Sequence, residues 1–120
     1  MKKFLIITQQ AGNFSKLAEG LKKGTLNEII WADSVTAAQA AAAGLIDMII
    51  IDEKVDGQPG LDIAKDMIRI NAMANLALVS GLSPEDFHEA SEGLGIMAQL
   101  PNCPGEKDAE LLLNALTALL

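Results

Sequence analysis

Residues 46–61, IDMIIIDEKVDGQPGL, constrain this chain more than any other stretch. Ile46 to Ile51 holds five apolar residues and one acid, rich in β-branched side chains and too short for a helix, which predicts a strand buried on both faces. It runs out on Asp52, and a loop carrying Asp56, Gly57, Pro59 and Gly60 leads into a helical pattern. Open α/β sheets put their chemistry at the carboxyl ends of such strands, so a functional site is expected around Asp52.

The rest of the chain alternates in the same way. Lys3–Thr8 is a first strand, ended by the polar turn Gln9–Asn13. Phe14, Leu17, Ala18 and Leu21 recur at i, i+3, i+4 and i+7 and predict a helix closed by Lys22, Lys23 and Gly24. Glu28–Ala32 is a second strand, and Ser34 caps a helix over Val35–Ala43 that Gly44 stops. Leu61, Ala64, Met67 and Ile68 mark a third helix running to about Asn71, followed by a fourth strand, Asn75–Ser80. Ser83, Pro84, Glu85 and Asp86 open the next helix with a cap, a proline at its first position and acids against its dipole. Gly93 and Gly95 end it. Ile96–Leu100 is a fifth strand, and the last helix, Glu106–Leu120, carries Leu112, Ala115, Leu116 and Leu119 along one face.

Five strands alternating with five helices imply right-handed crossovers and a parallel sheet covered on both faces. The predicted fold is α/β: a doubly wound three-layer α/β/α sandwich with a five-stranded parallel sheet in the flavodoxin-like order 2-1-3-4-5. In that order Thr8, Gln9, Asp52 and Ser80 converge on one rim. The glycines and proline of Gly57-Gln58-Pro59-Gly60 are turn chemistry first, and Trp31, Met48, Met67, Met73 and Met97 are expected in core or rim packing.

Composition narrows the function classes. The length of 120 residues suits a single domain over 1–120. A net charge of −7, with no Lys/Arg cluster larger than a pair, excludes a nucleic-acid groove and favours basic partner surfaces. One cysteine, Cys103, and one histidine, His88, can supply neither a disulfide nor a four-ligand zinc site. No apolar run is long enough to span a bilayer, and Met1-Lys2-Lys3 leads into FLII without a cleavage site, so no membrane partner is expected and the cytoplasm is the expected location. Gln10-Ala11-Gly12-Asn13 has one glycine and no lysine, a weak nucleotide motif.

With those residues in view, the whole chain resembles the receiver domain of two-component response regulators. Asp52, with Gly60 eight residues on, matches the phospho-accepting aspartate and the glycine that opens the third helix. Ser80 and Gly81 match the pair that grips the phosphoryl group. The resemblance also implies an acidic pair at the end of the first strand, where this chain has Thr8 and Gln9, or Gln9 and Gln10 after a one-residue slip. It implies a lysine before a cis-proline after the fifth strand, where Leu100 precedes Pro101 and Gln99 lies one further back. The aromatic switch residue has no counterpart among Ile96, Met97 and Ala98, and the usual proline four after the aspartate is Asp56.

The expectation is therefore a degenerate, pseudo-receiver domain. Phosphoryl transfer to a carboxylate depends on neutralisation by Mg²⁺ and lysine, and neutral oxygens at Thr8 and Gln9 leave Asp52 as the one charged side chain assigned to the metal. Thr8, Gln9 and the backbone carbonyl of Lys54 form a vestigial metal site; no metal or other cofactor is expected beyond weak Mg²⁺. Glu53 is expected to point away on an extended chain.

The leading functional reading is a receiver-like signalling domain of a phosphorelay, not an enzyme, acting by protein–protein interaction with a histidine kinase or a downstream signalling protein. One alternative is a working response regulator phosphorylated on Asp52; another is a small flavodoxin-like, cofactor-binding enzyme. The partner face implied by the resemblance is built from the fourth helix, fifth strand and last helix: Phe87, His88, Glu89, Glu92, Met97, Glu106 and Glu110, an apolar centre bordered by acids.

Overall fold

The structure, a computed structural model, describes residues 2–23 and 26–118. Strands β1 (Lys3–Ile7), β2 (Glu28–Ala32), β3 (Met48–Ile51), β6 (Asn75–Val79) and β7 (Ala98–Leu100) form one parallel sheet in the order β2-β1-β3-β6-β7. The two-residue strands β4 (Lys54–Val55) and β5 (Gln58–Pro59) pair with each other outside it. With that hairpin left out of the count, the order is the expected 2-1-3-4-5.

Helices α1 (Ser15–Lys22), preceded by a 3₁₀ turn at Ala11–Phe14, and α5 (Glu106–Thr117) cover one face; α2 (Val35–Ala42) and α3 (Gly60–Ile70) cover the other. The short α4 (Pro84–Ala90) joins the α2–α3 side through Phe87. Strand periodicity explains the two cores. Phe4, Ile6, Met48, Ile50, Ala77 and Val79 pack with Phe14, Leu17, Leu21, Ala109, Leu112 and Leu116. Their neighbours Leu5, Ile7, Ile49, Ile51, Leu76 and Leu78 pack with Ala38, Ala42, Ile63, Ala64 and Met67. Strands β1 and β3 are apolar at every buried position because both their faces lie under helices.

The caps form as local chemistry dictates. Ser34 Oγ accepts from Ala37 N at 3.0 Å, and Ser83 Oγ accepts from Asp86 N at 3.2 Å. Strands β1 and β6 each end one residue earlier than expected, and β3 and β7 each start two residues later. The β1–β3 ladder starts at Phe4↔Met48, leaving Ile46 as a buried lead-in, and β7 pairs with β6 only over Ala98–Leu100. Met48 and Met67 are buried, but Met73, expected in packing, is 89% exposed in the turn before β6, and Trp31 is exposed on the edge strand β2. Gly24, and Leu119 on the apolar face of the last helix, lie outside the described residues. No described helix is long and apolar enough to cross a membrane.

Candidate functional site

Register puts Thr8 beside Asp52. Ile7 pairs with Ile51, and Asp52 N donates to Ile7 O at 2.9 Å, so the residues that follow each strand lie side by side. The Thr8 hydroxyl, 3% exposed, donates to Asp52 Oδ2 at 2.6 Å and accepts from Gln10 N at 3.0 Å. Asp52 Oδ1 accepts from Glu53 N at 2.8 Å. Both oxygens of the half-buried carboxylate therefore have neutral donors from the chain itself.

Gln9 turns toward the loop after β3. Its Nε2 donates to Asp56 Oδ1 at 2.8 Å, and its Oε1 accepts from Asp56 N at 3.0 Å. The second oxygen of Asp56 accepts from Val35 N, the first residue of α2, at 2.8 Å, a favourable place for a carboxylate on the helix dipole. A tight hairpin delivers this residue: Asp56 (φ 54°) and Gly57 (φ 74°) are the two central positions between Lys54–Val55 and Gln58–Pro59. Aspartate tolerates this left-handed geometry and glycine favours it. Val55, fully buried, pins the hairpin to the core, while Lys54 is exposed.

Across the rim, the loop after β6 is tied from both sides. Ser80 Oγ accepts from Leu82 N at 3.2 Å, and Gln99 Nε2 donates to Ser80 O at 3.2 Å and Leu82 O at 2.8 Å. The peptide bond before Pro101 is trans. Gly81 N donates to Glu53 Oε2 at 2.7 Å. This corrects the expectation that Glu53 points away: regular strand geometry ends at Ile51, so side-chain alternation no longer applies at Glu53, and its carboxylate reaches the neighbouring loop. A shallow cleft of 120 Å³ lies beneath, lined by Glu53, Gly60, Leu61, Leu78, Ser80 and Leu82 among others.

Gly60 opens α3 hard against this rim. Its N–H donates to Glu53 O at 2.8 Å, and a Cβ added there would stand 2.5 Å from Asp52 O and 2.8 Å from Leu78 Cδ1. The glycine is needed for close approach to the backbone that carries Asp52. Among the described residues no three His, Cys, Asp or Glu side chains gather as a metal-binding group, and the ion pairs, Lys3–Glu28, Lys65–Asp62 and Arg69–Asp66, lie away from the rim.

The residues expected on the partner face lie in different settings. Phe87 is 7% exposed and belongs to the α2–α3 core, because it is the one buried residue that attaches α4 to the sheet. Met97 is half-buried against the opposite, α1–α5 core. Glu106 and Glu110 line a 330 Å³ depression with Gly20, Lys23 and Leu113 between α1 and α5, since the buried phase of α5 is set by Ala109, Leu112 and Leu116. His88, Glu89 and Glu92 remain exposed around α4, where His88 and Glu92 border a 240 Å³ depression closed by Gly93, Gly95 and Ile96.

No protein-family model and no curated protein matches this sequence. Solved structures do. A CheY-like response-regulator receiver domain from Methanospirillum hungatei JF-1 is 16% identical, with a TM-score of 0.81 over 98% of this chain and 95% of that one. A two-component response regulator from Clostridium difficile is 15% identical, with a TM-score of 0.80 over 98% and 97%. A response regulator from Burkholderia pseudomallei, solved with a phosphorylated aspartic acid, a calcium ion and citrate, is 20% identical, with a TM-score of 0.77 over 97% of this chain and 66% of that one. At such identities the likeness establishes architecture: this chain has the fold of the response-regulator receiver domains.

Proposed function

We propose that the chain is a degenerate receiver-like module of a two-component phosphorelay, a cytoplasmic domain that signals by binding a protein rather than by accepting a phosphoryl group. The observation that carries this reading is the set of partners around Asp52: each of its oxygens accepts from a neutral donor, the Thr8 hydroxyl and the Glu53 amide, while Gln9 is engaged with Asp56. A receiver's chemistry asks for an acidic pair beside the aspartate to hold Mg²⁺, and Thr8 and Gln9 stand there with neutral oxygens that are already hydrogen-bonded. No enzymatic reaction is assigned to the chain. Its partner is a histidine kinase or a downstream signalling protein with a basic surface, docking on the acidic exposed side of α4 around Glu85, His88, Glu89 and Glu92.

The reading of Asp52 as a working phosphoacceptor is supported by its position just past β3, whose last residue Ile51 pairs with Leu78, two residues before Ser80 on the adjacent β6. One experiment separates the two. Mg²⁺ with beryllofluoride, titrated to roughly millimolar levels, is expected to leave the amide resonances of Thr8, Gln9, Asp52 and Lys54 nearly unmoved. Saturable shifts confined to those residues, and lost in Asp52→Asn, would replace the proposal with the phosphoacceptor reading.

A further inference from the structure

Glu53 is held at three points. Its N–H donates to Asp52 Oδ1, its carbonyl accepts from Gly60 N, and its carboxylate accepts from Gly81 N across the mouth of the cleft. Two of these contacts are made by the backbone, so the side chain is launched toward the β6–α4 loop from a fixed base. There it takes the N–H of Gly81, one of the two residues to which the receiver resemblance gives the grip on the phosphoryl group. The loop is tied from its other side by Gln99, whose amide reaches the carbonyls of Ser80 and Leu82, and it passes directly into the Ser83 cap of α4. An anionic oxygen and a neutral amide, both from this chain, thus hold Ser80–Leu82 from two sides.

We propose that Glu53 is a built-in replacement for the phosphoryl group: its bond to Gly81 N–H fixes the β6–α4 loop, and with it the start of α4, in one position without phosphorylation. This rests on the receiver-like reading of Ser80 and Gly81 and extends it to how the α4 face is displayed. A carboxylate accepting from a backbone N–H is a charge-assisted bond, and the anchored backbone lowers the entropy lost in forming it.

The test follows Gly81, Leu82 and residues 84–90 by amide NMR and hydrogen exchange in the full chain and in Glu53→Gln, Glu53→Asp and Glu53→Ala. Glu53 is exposed, so these variants are expected to fold, and far-UV circular dichroism checks that they do. In Glu53→Ala the Gly81 amide is expected to move upfield and exchange about three- to tenfold faster, with smaller shifts spreading into α4. Glu53→Asp, which keeps the charge but is one methylene short, should resemble Glu53→Ala; Glu53→Gln, which keeps an acceptor oxygen at full length, should lie between. Excess inorganic phosphate should perturb Gly81 in Glu53→Ala and leave the unmodified chain unchanged.

Identical Gly81 shift and exchange in all four proteins would overturn the inference, as would an equal response of Gly81 to phosphate with and without Glu53. The Mg²⁺ and beryllofluoride titration reads a different property. Uptake at Asp52 together with a Gly81 signal dependent on Glu53 would leave the strap standing and remove the pseudo-receiver reading; no uptake and no dependence on Glu53 would do the reverse.

Discussion

Gly60→Ala should be costly, and Gly12→Ala should not, although both add one methyl group to a glycine with negative or unconstrained φ near the same rim. At Gly60 the new Cβ would lie 2.5 Å from Asp52 O, which is main chain, and 2.8 Å from Leu78 Cδ1, which is a side-chain tip able to turn. The contact to the carbonyl has to open by about half an ångström, which displaces either the first turn of α3 or the end of β3. Overpacking of this kind costs about 1–3 kcal/mol, and the lost freedom of the unfolded chain returns about 0.4–1 kcal/mol. The net loss is about 1–2 kcal/mol. For a domain of this size that lowers the melting temperature by roughly 4–8 °C.

At Gly12, in the exposed 3₁₀ turn, nothing lies within 4 Å of the added Cβ, so only the unfolded-state gain remains and the melting temperature should stay level or rise by roughly 2–4 °C. Calorimetry on both variants gives the comparison, and amide spectra locate the strain. Shifts in Gly60→Ala should centre on Asp52, Glu53 and Thr8. A Gly60→Ala protein as stable as the unmodified chain, or a Gly12→Ala protein destabilised to the same extent, would refute the close-approach argument.

Asp56→Ala removes the carboxylate on the α2 N-terminus, breaks the exchange with Gln9 and puts a less tolerant residue at φ 54°, so urea denaturation should register a loss of about 1–2 kcal/mol, and Asp56→Asn a smaller one. Charge reversal at Glu89 and Glu92 should weaken binding to the partner at least about tenfold in low salt, while reversal at Glu19 on α1 should leave it unchanged; equal losses at the two places would remove the α4 face from consideration.

The architecture was legible because each apolar run, read with its flanking caps, admits one element type. Ser34 and Ser83 cap where expected since capping is a contact over three residues and needs no tertiary partner. Strand ends were less legible, because Ile46 and Ile96 are apolar without having a neighbour to pair with, and pairing depends on the adjacent strand. At the site, Asp52 and Thr8 follow from strand register alone. Glu53 does not, because side-chain alternation holds only while the chain stays extended. The hairpin that aims Asp56 did carry a signal, Asp-Gly between Val55 and Gln58, but two-residue strands are too short for any periodicity. The setting of Glu106 and Glu110 was legible too: one helical turn separates them, and both lie on the flank of α5 that meets α1 once Ala109, Leu112 and Leu116 are taken as its buried stripe.

The carboxylates of the rim bear jointly on the proposed function. Asp52, Glu53 and Asp56 follow one another within five residues, and each finds neutral N–H or O–H donors, with no lysine or arginine paired to them among the described ion pairs. Such bonds orient a carboxylate without neutralising it. Two like charges about 5 Å apart repel by about 1–3 kcal/mol between the dielectric of water and that of a protein surface, and a phosphoryl group brings more than one charge. A divalent cation with a lysine would reverse that balance; among the described residues no three His, Cys, Asp or Glu side chains gather as a metal-binding group, and none of the ion pairs joins a lysine or arginine to these carboxylates. A ligand can shift an equilibrium only by its difference in affinity for two states. If Glu53 and Gln99 tie the β6–α4 loop as proposed, the module displays one arrangement of that loop, and its regulation would come from the supply of the partner or of the domain itself rather than from a change of state at Asp52.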